Sequence, residues 1–112
     1  MNWHKIASEQ ALDKISAESL SKPVLLFKHS HRCSVSAVAL SRLERSWKLE
    51  DEQIMPYILD VVWERPISNL IAEKFQVQHE SPQVLLIKEG KCVYSASHLG
   101  IDYKELSSLI HS

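Results

Sequence analysis

Glycine is scarce in this chain, with two among 112 residues, and proline contributes four. Such a composition excludes collagen-like and low-complexity chains, and nothing resembles a glycine-rich phosphate loop. Cysteine is just as sparse: two residues do not make the disulfide framework of a small secreted domain. Neither sign of charge prevails, since 13 basic residues face 14 acidic ones without a long block of either. That removes the electrostatic footprint expected for a nucleic-acid or membrane partner. No apolar run approaches the ~20 residues of a membrane-spanning helix. The opening MNWHKIASEQ lacks a charged stretch followed by an apolar signal core, so a cytoplasmic location is expected. There is no internal repeat and no linker.

What is present is a hydrophobic content of 45%, enough for a sizeable core in one domain spanning residues 1–112. Strand and helix patterns alternate. Trp3 to Ile6 reads as a weak first strand. Ser8 can then cap a helix carrying Ala11, Leu12, Ile15 and Leu20. Val24 to Phe27 is a continuous apolar run short enough for a buried strand. From Ser34 to Lys48, Val35, Val38, Ala39, Leu43 and Trp47 recur at helical intervals. Leu49 to Gln53 reads as a solvated loop, and Tyr57 to Val61 as the next strand. Arg65 and Pro66 open a further helix, with proline where its missing N–H matters least. Val84 to Ile87 and Cys92 to Ala96 flank Lys-Glu-Gly-Lys, a hairpin signal with Gly90 free to turn left-handed. Tyr103 to Ile110 is a short last helix.

Helices interleaved with strands imply parallel pairing, and the late hairpin adds antiparallel strands to the same sheet. The expected fold class is therefore α/β, a three-layer α/β/α sandwich around a mixed central sheet. Cys33 then falls just past the carboxyl end of a buried strand, where open α/β sheets bind ligands, and opens the next helix. Unpaired N–H groups and the helix dipole favour a negative charge there. Lys28, Arg32 and His31 are expected to add positive potential. The thiol should therefore be poised towards its nucleophilic, ionised form.

Two stretches carry a resemblance. FKHSHRCSVSA (residues 27–37) and HESPQVLLIKEGKCVYSASHLGI (residues 79–101) are similar to the YtxJ-type bacilliredoxins, redox proteins of the bacillithiol system with a thioredoxin-like fold. The first has Lys28-His29-Ser30 ahead of Arg32-Cys33, then Ser36 where a dithiol protein carries its second cysteine. The second has Ser81-Pro82 before a strand, where thioredoxin-fold proteins place a cis-proline facing the reactive cysteine. One departure is Val35, at a position where the family often has proline. The resemblance implies a monothiol disulfide exchanger that removes a low-molecular-weight thiol, such as bacillithiol, from S-thiolated proteins. Cys33 would be the nucleophile, and Ser81 and Pro82 would position the substrate. No metal or organic cofactor is implied, the small thiol being a co-substrate.

Helical spacing puts Ser36 three residues beyond Cys33, where its hydroxyl is expected to donate to the thiolate. A hydroxyl cannot expel a captured thiol, so turnover would need an external one. Arg32 and His31 are the electrostatic contributors, Arg32 with a fork that suits a carboxylate on the small thiol. A metal reading competes, because His29, His31 and Cys33 alternate and His79 could join them. A helix starting at Cys33 breaks that alternation and leaves a poor tetrahedral set. Cys92 reads as a packed sheet residue remote from Cys33, and Trp47 and Trp63 as core or groove residues. Two other functional classes stay open. One is a thioredoxin-fold binding module without turnover; the other is a glutaredoxin-like monothiol protein serving glutathione or an iron–sulfur cluster.

Overall fold

The computed structural model describes residues 1–50 and 52–110. In chain order its elements are β1 (His4–Lys5), α1 (Gln10–Glu18), β2 (Val24–His29), α2 (Ser34–Ser46) and β3 (Met55–Asp60). These are followed by α3 (Arg65–Phe75), β4 (Gln83–Lys88), β5 (Lys91–Ser97), a 3₁₀ turn at His98–Gly100 and α4 (Tyr103–Ile110). The five strands form one sheet in the order β1-β3-β2-β4-β5. β1, β3 and β2 run parallel, and β4 and β5 are antiparallel additions. Thus the expected mixed sheet is present, with helices on both faces.

Strand alternation divides the core in two. Val24 and Leu26 of β2 face α1 and α3, packing with Leu12, Ile15, Ile67 and Ile71. Leu25 and Phe27 face the other way, onto Ala39 and Leu43 of α2 and Leu106 of α4. Central β2 and β4 are therefore apolar on both faces, which is why each reads as a run rather than an alternation. The β4–β5 hairpin closes through Glu89 and Gly90, whose φ angles of 53° and 77° suit a two-residue turn matched to strand twist. At the entry to α1 the Ser8 hydroxyl accepts the Ala11 N–H at 3.3 Å.

Several boundaries and faces differ from the sequence expectation. β2 runs two residues further, through Lys28 and His29, because these pair with Leu59 and Asp60 of β3. α2 ends at Ser46 rather than Lys48, and β3 runs Met55–Asp60 rather than from Tyr57 to Val61. Val35 and Val38, expected on the inner face of α2, are exposed, whereas Ser36 is fully buried. Leu49, in the stretch expected to be a solvated loop, is buried; Asp51 of that loop lies outside the described residues. Among the described residues no helix is long and apolar enough to cross a membrane.

Candidate functional site

At the carboxyl end of β2 the chain passes through Ser30 to a tight turn, in which the Cys33 N–H donates to the Ser30 carbonyl at 3.1 Å. Cys33 is the residue that precedes the first turn of α2, with extended φ and ψ of −115° and 118°. Its carbonyl accepts the Ala37 N–H at 3.2 Å. The side chain is partly exposed, and its sulfur caps no backbone N–H. Hence the thiol stands at a helix N-terminus, beyond the end of a buried strand, open to solvent on one side.

Ser36 does not serve that sulfur in the way its spacing suggested. Its hydroxyl oxygen accepts the Ser30 N–H at 3.0 Å and lies 2.6 Å from His29 Nδ1. With the His29 proton on Nε2 the hydroxyl donates to Nδ1; in the other tautomer it accepts. These two bonds hold the Ser36 hydroxyl against the end of β2. Ser36 is thus a positioning residue that fastens the 29–33 segment to the helix. Burial pushes His29 below the usual histidine range, with His31 acting in the same sense and Asp60 and Glu44 opposing.

His31 is held by a different group. Its backbone N–H and its ring Nδ1 both reach Asp60 Oδ2, at 3.2 and 2.8 Å. Asp60 Oδ1 accepts the Val62 N–H at 2.9 Å. Burial alone would raise the Asp60 carboxyl, but the His31 and Val62 bonds outweigh it and hold the group below its ordinary value. On its other side the His31 ring meets Trp63, with centroids 4.4 Å apart. Trp63 is 72% exposed, so it is neither core nor a closed groove. Arg32 is exposed next to Cys33, and among the described residues it makes no ion pair.

Lys28 sits elsewhere than the positive potential around Cys33 that was expected of it. Alternation along β2 turns it onto the α3 face, fully buried. Its Nζ donates to the Ser68 carbonyl at 3.1 Å and lies 3.4 Å from His79 Nδ1. The Ser68 hydroxyl is 3.1 Å from the same ring nitrogen. Burial, then the Arg65 charge, push Lys28 down to about 8. Burial also lowers His79, helped by Lys28 and Arg65 and opposed by Glu80.

This buried cluster underlies the loop that enters β4. The Ser81–Pro82 peptide bond in that loop is cis. The Pro82 carbonyl accepts the His98 N–H at 2.9 Å. Buried Ser81 Oγ and Gln83 Oε1 have no hydrogen-bond partner among the described residues.

The three histidines of the metal reading serve three separate networks: His29 with Ser36, His31 with Asp60, His79 with Lys28 and Ser68. Among the described residues no three His, Cys, Asp or Glu side chains gather as metal ligands. Cys92 pairs with Ile87, which is level with Val24 at the start of β2. His29 lies five positions further on, roughly 17 Å at about 3.3 Å per residue, and Cys33 lies beyond it. Cys92 is half-buried, its thiol donates to the Tyr94 carbonyl at 3.2 Å, and burial pushes it up. Trp63 and the His29–Ser36 pair were missed as site features in the sequence. A large aromatic in the polar stretch VWERP was the available signal for the first; the second needed the extra length of β2.

A family model described as monothiol bacilliredoxin BrxC matches residues 4–106. A solved protein described as having a thioredoxin fold is 30% identical, with a TM-score of 0.80 over 96% of this chain and 92% of its own. Thioredoxin from Malassezia sympodialis (Mala s 13) is 15% identical, with a TM-score of 0.74 over 98% of this chain and 89% of its own. Fasciola hepatica thioredoxin is 20% identical, with a TM-score of 0.71 over 96% of each chain. At those two identities the likeness is one of fold, and the fold is thioredoxin-like.

Proposed function

Because the chain belongs to the monothiol bacilliredoxin family, we propose that Cys33 removes a low-molecular-weight thiol, bacillithiol in the first instance, from S-thiolated proteins. The family's chemistry is thiol–disulfide redox chemistry, and the finer assignment to this substrate is our reading. In the reaction the Cys33 thiolate attacks the small-thiol sulfur of a protein mixed disulfide. One S–S bond forms, one breaks, and the protein sulfur leaves as a thiolate that takes a proton from solvent. Cys33 is left disulfide-bonded to the small thiol, with no net change in oxidation state.

A single observation carries this reading. The helix N-terminus presents one partly exposed sulfur, while the position a resolving cysteine would fill holds Ser36, fully buried and bonded to His29 and Ser30. Cys92 lies at the other end of the sheet, well beyond the ~7 Å Cα separation that a disulfide tolerates. An internal release of the captured thiol therefore has no second sulfur to use.

The test is a turnover count on a protein mixed disulfide of bacillithiol. Without added thiol one equivalent of protein thiol is released per Cys33 and the reaction stops. Added small thiol restarts it. Continued release without added thiol would show a hidden resolving group, and no release would favour a binding module instead.

A further inference from the structure

Parallel strands β1, β3 and β2 end at the same sheet edge, and a cavity of about 250 Å³ opens there. Such carboxyl-end crevices are where open α/β sheets take their ligands. Ile6 and Ile58 give the cavity apolar walls, and His29, Asp60 and Trp63 add polar and aromatic ones. Lys5 and Glu64 bring a cation and an anion to it. The cavity is built from the same groups that hold the thiol loop. His29 spends Nδ1 on Ser36, which leaves Nε2 for a ligand. Asp60 binds His31, two residues before Cys33, and Trp63 stands against the His31 ring.

We propose that this cavity holds the non-sulfur body of the low-molecular-weight thiol while its sulfur is joined to Cys33. The inference rests on the exchange reading above and adds the determinant of which sulfur is attacked. At about 250 Å³, a little under the usual range for ligand pockets, the space suits part of a small molecule rather than a peptide chain passing through. Its charges suit a body with a carboxylate, which Lys5 meets, and an ammonium or hydroxyl donor, which Asp60 and Glu64 meet. Trp63, so exposed in the free protein, gains a covering partner. With the body seated there, the small-thiol sulfur lies next to Cys33 and the protein sulfur points outwards. Attack then falls on the former and expels the latter, so the small thiol is what stays behind.

Carboxylate and ammonium occur together on both bacillithiol and glutathione, so the assay uses each. One cysteine-containing reporter peptide is prepared as its mixed disulfide with bacillithiol, with glutathione and with 2-mercaptoethanol, which has almost no body. Peptide release is timed, and the group left on Cys33 is weighed, for the wild type, Trp63→Ala and Lys5→Glu. Both substituted side chains are exposed, so the fold tolerates the changes. Loss of one such contact should lower the rate ratio of the bulkier disulfide to the mercaptoethanol one by about tenfold. The peptide should also replace the small thiol on part of the Cys33 population. The thiol with the larger ratio in the wild type is the one whose body fits. Unchanged ratios for both bulkier disulfides, or equal slowing of all three substrates, would overturn the proposal. Should wild-type Cys33 react with none of the three, the exchange reading itself fails and the role of the cavity falls with it.

Discussion

Replacing Lys28 with methionine removes a buried ammonium and keeps an unbranched stem of similar length. Lys28 is fully buried, and its pKa falls from an ordinary 10.5 to about 8, first by burial and then by the Arg65 charge. In the unfolded chain the same lysine holds its proton until about pH 10.4. Above pH 8 the unfolded state therefore binds more protons than the folded one, and stability rises with pH. At about 1.4 kcal/mol for each tenfold change the whole separation is worth about 3 kcal/mol. About 2 kcal/mol of it is gained by pH 9.5.

The groups facing Lys28 leave that window clear. His79 is lowered, hence neutral throughout it. Tyr57 and Tyr94 are raised by burial and by bonds to Glu18 and Glu105, so their ionisation weakens the fold only above about pH 10. Cys92, raised by burial, acts alike in both proteins. Urea unfolding of the wild type and Lys28→Met between pH 7 and 9.5 gives the comparison. The stability of the wild type relative to the variant should climb by about 2 kcal/mol across this range. Parallel curves would refute the reasoning, because they would mean that Lys28 keeps its proton in the folded state.

Ser36→Ala deprives the buried Ser30 N–H and His29 Nδ1 of their shared partner, and should destabilise by about 1–3 kcal/mol in the same urea assay; no change would mean water substitutes fully. Asp60→Asn addresses acid stability. A carboxyl held below its ordinary value adds stability that is present above about pH 3.9 and lost as pH falls through the folded value. Thermal unfolding against pH should accordingly fall less steeply on the acid side for the Asn variant than for the wild type. Leu86→Ala, in the middle of β4 and fully buried, should lose about 2–5 kcal/mol; a loss under 1 kcal/mol would mean that the layer above it collapses readily.

The element order was legible because this sheet has central strands buried on both faces. Their apolar runs, Val24 to Phe27 and Val84 to Ile87, stand out between helical periods. The placement of Cys33 followed from that order alone. What was not legible came from polar residues at the end of β2. Lys28 and His29 break the apolar run, so hydropathy alone ends the strand at Phe27 and leaves Lys28 in the turn near the thiol. Pairing with β3 continues through both residues and sends Lys28 to one face and His29 to the other.

The buried face of α2 departs from the hydropathy pattern for a related reason. Val35 and Val38 looked inward by hydropathy, whereas Ser36 is the buried residue, because His29 and the Ser30 N–H supply it with partners. Hydropathy does not register a buried hydroxyl whose bonds come from a segment six and seven residues earlier. Trp63 shows the opposite failure, a large aromatic left exposed beside His31.

On the proposed reading Cys33 alone carries the exchange chemistry. The most direct measurement is to challenge the reduced wild type with bacillithiol disulfide and map the adduct by peptide mass. One small thiol on Cys33, none on Cys92, and no adduct on Cys33→Ser is the predicted result. An unmodified Cys33, or label confined to Cys92, would contradict it.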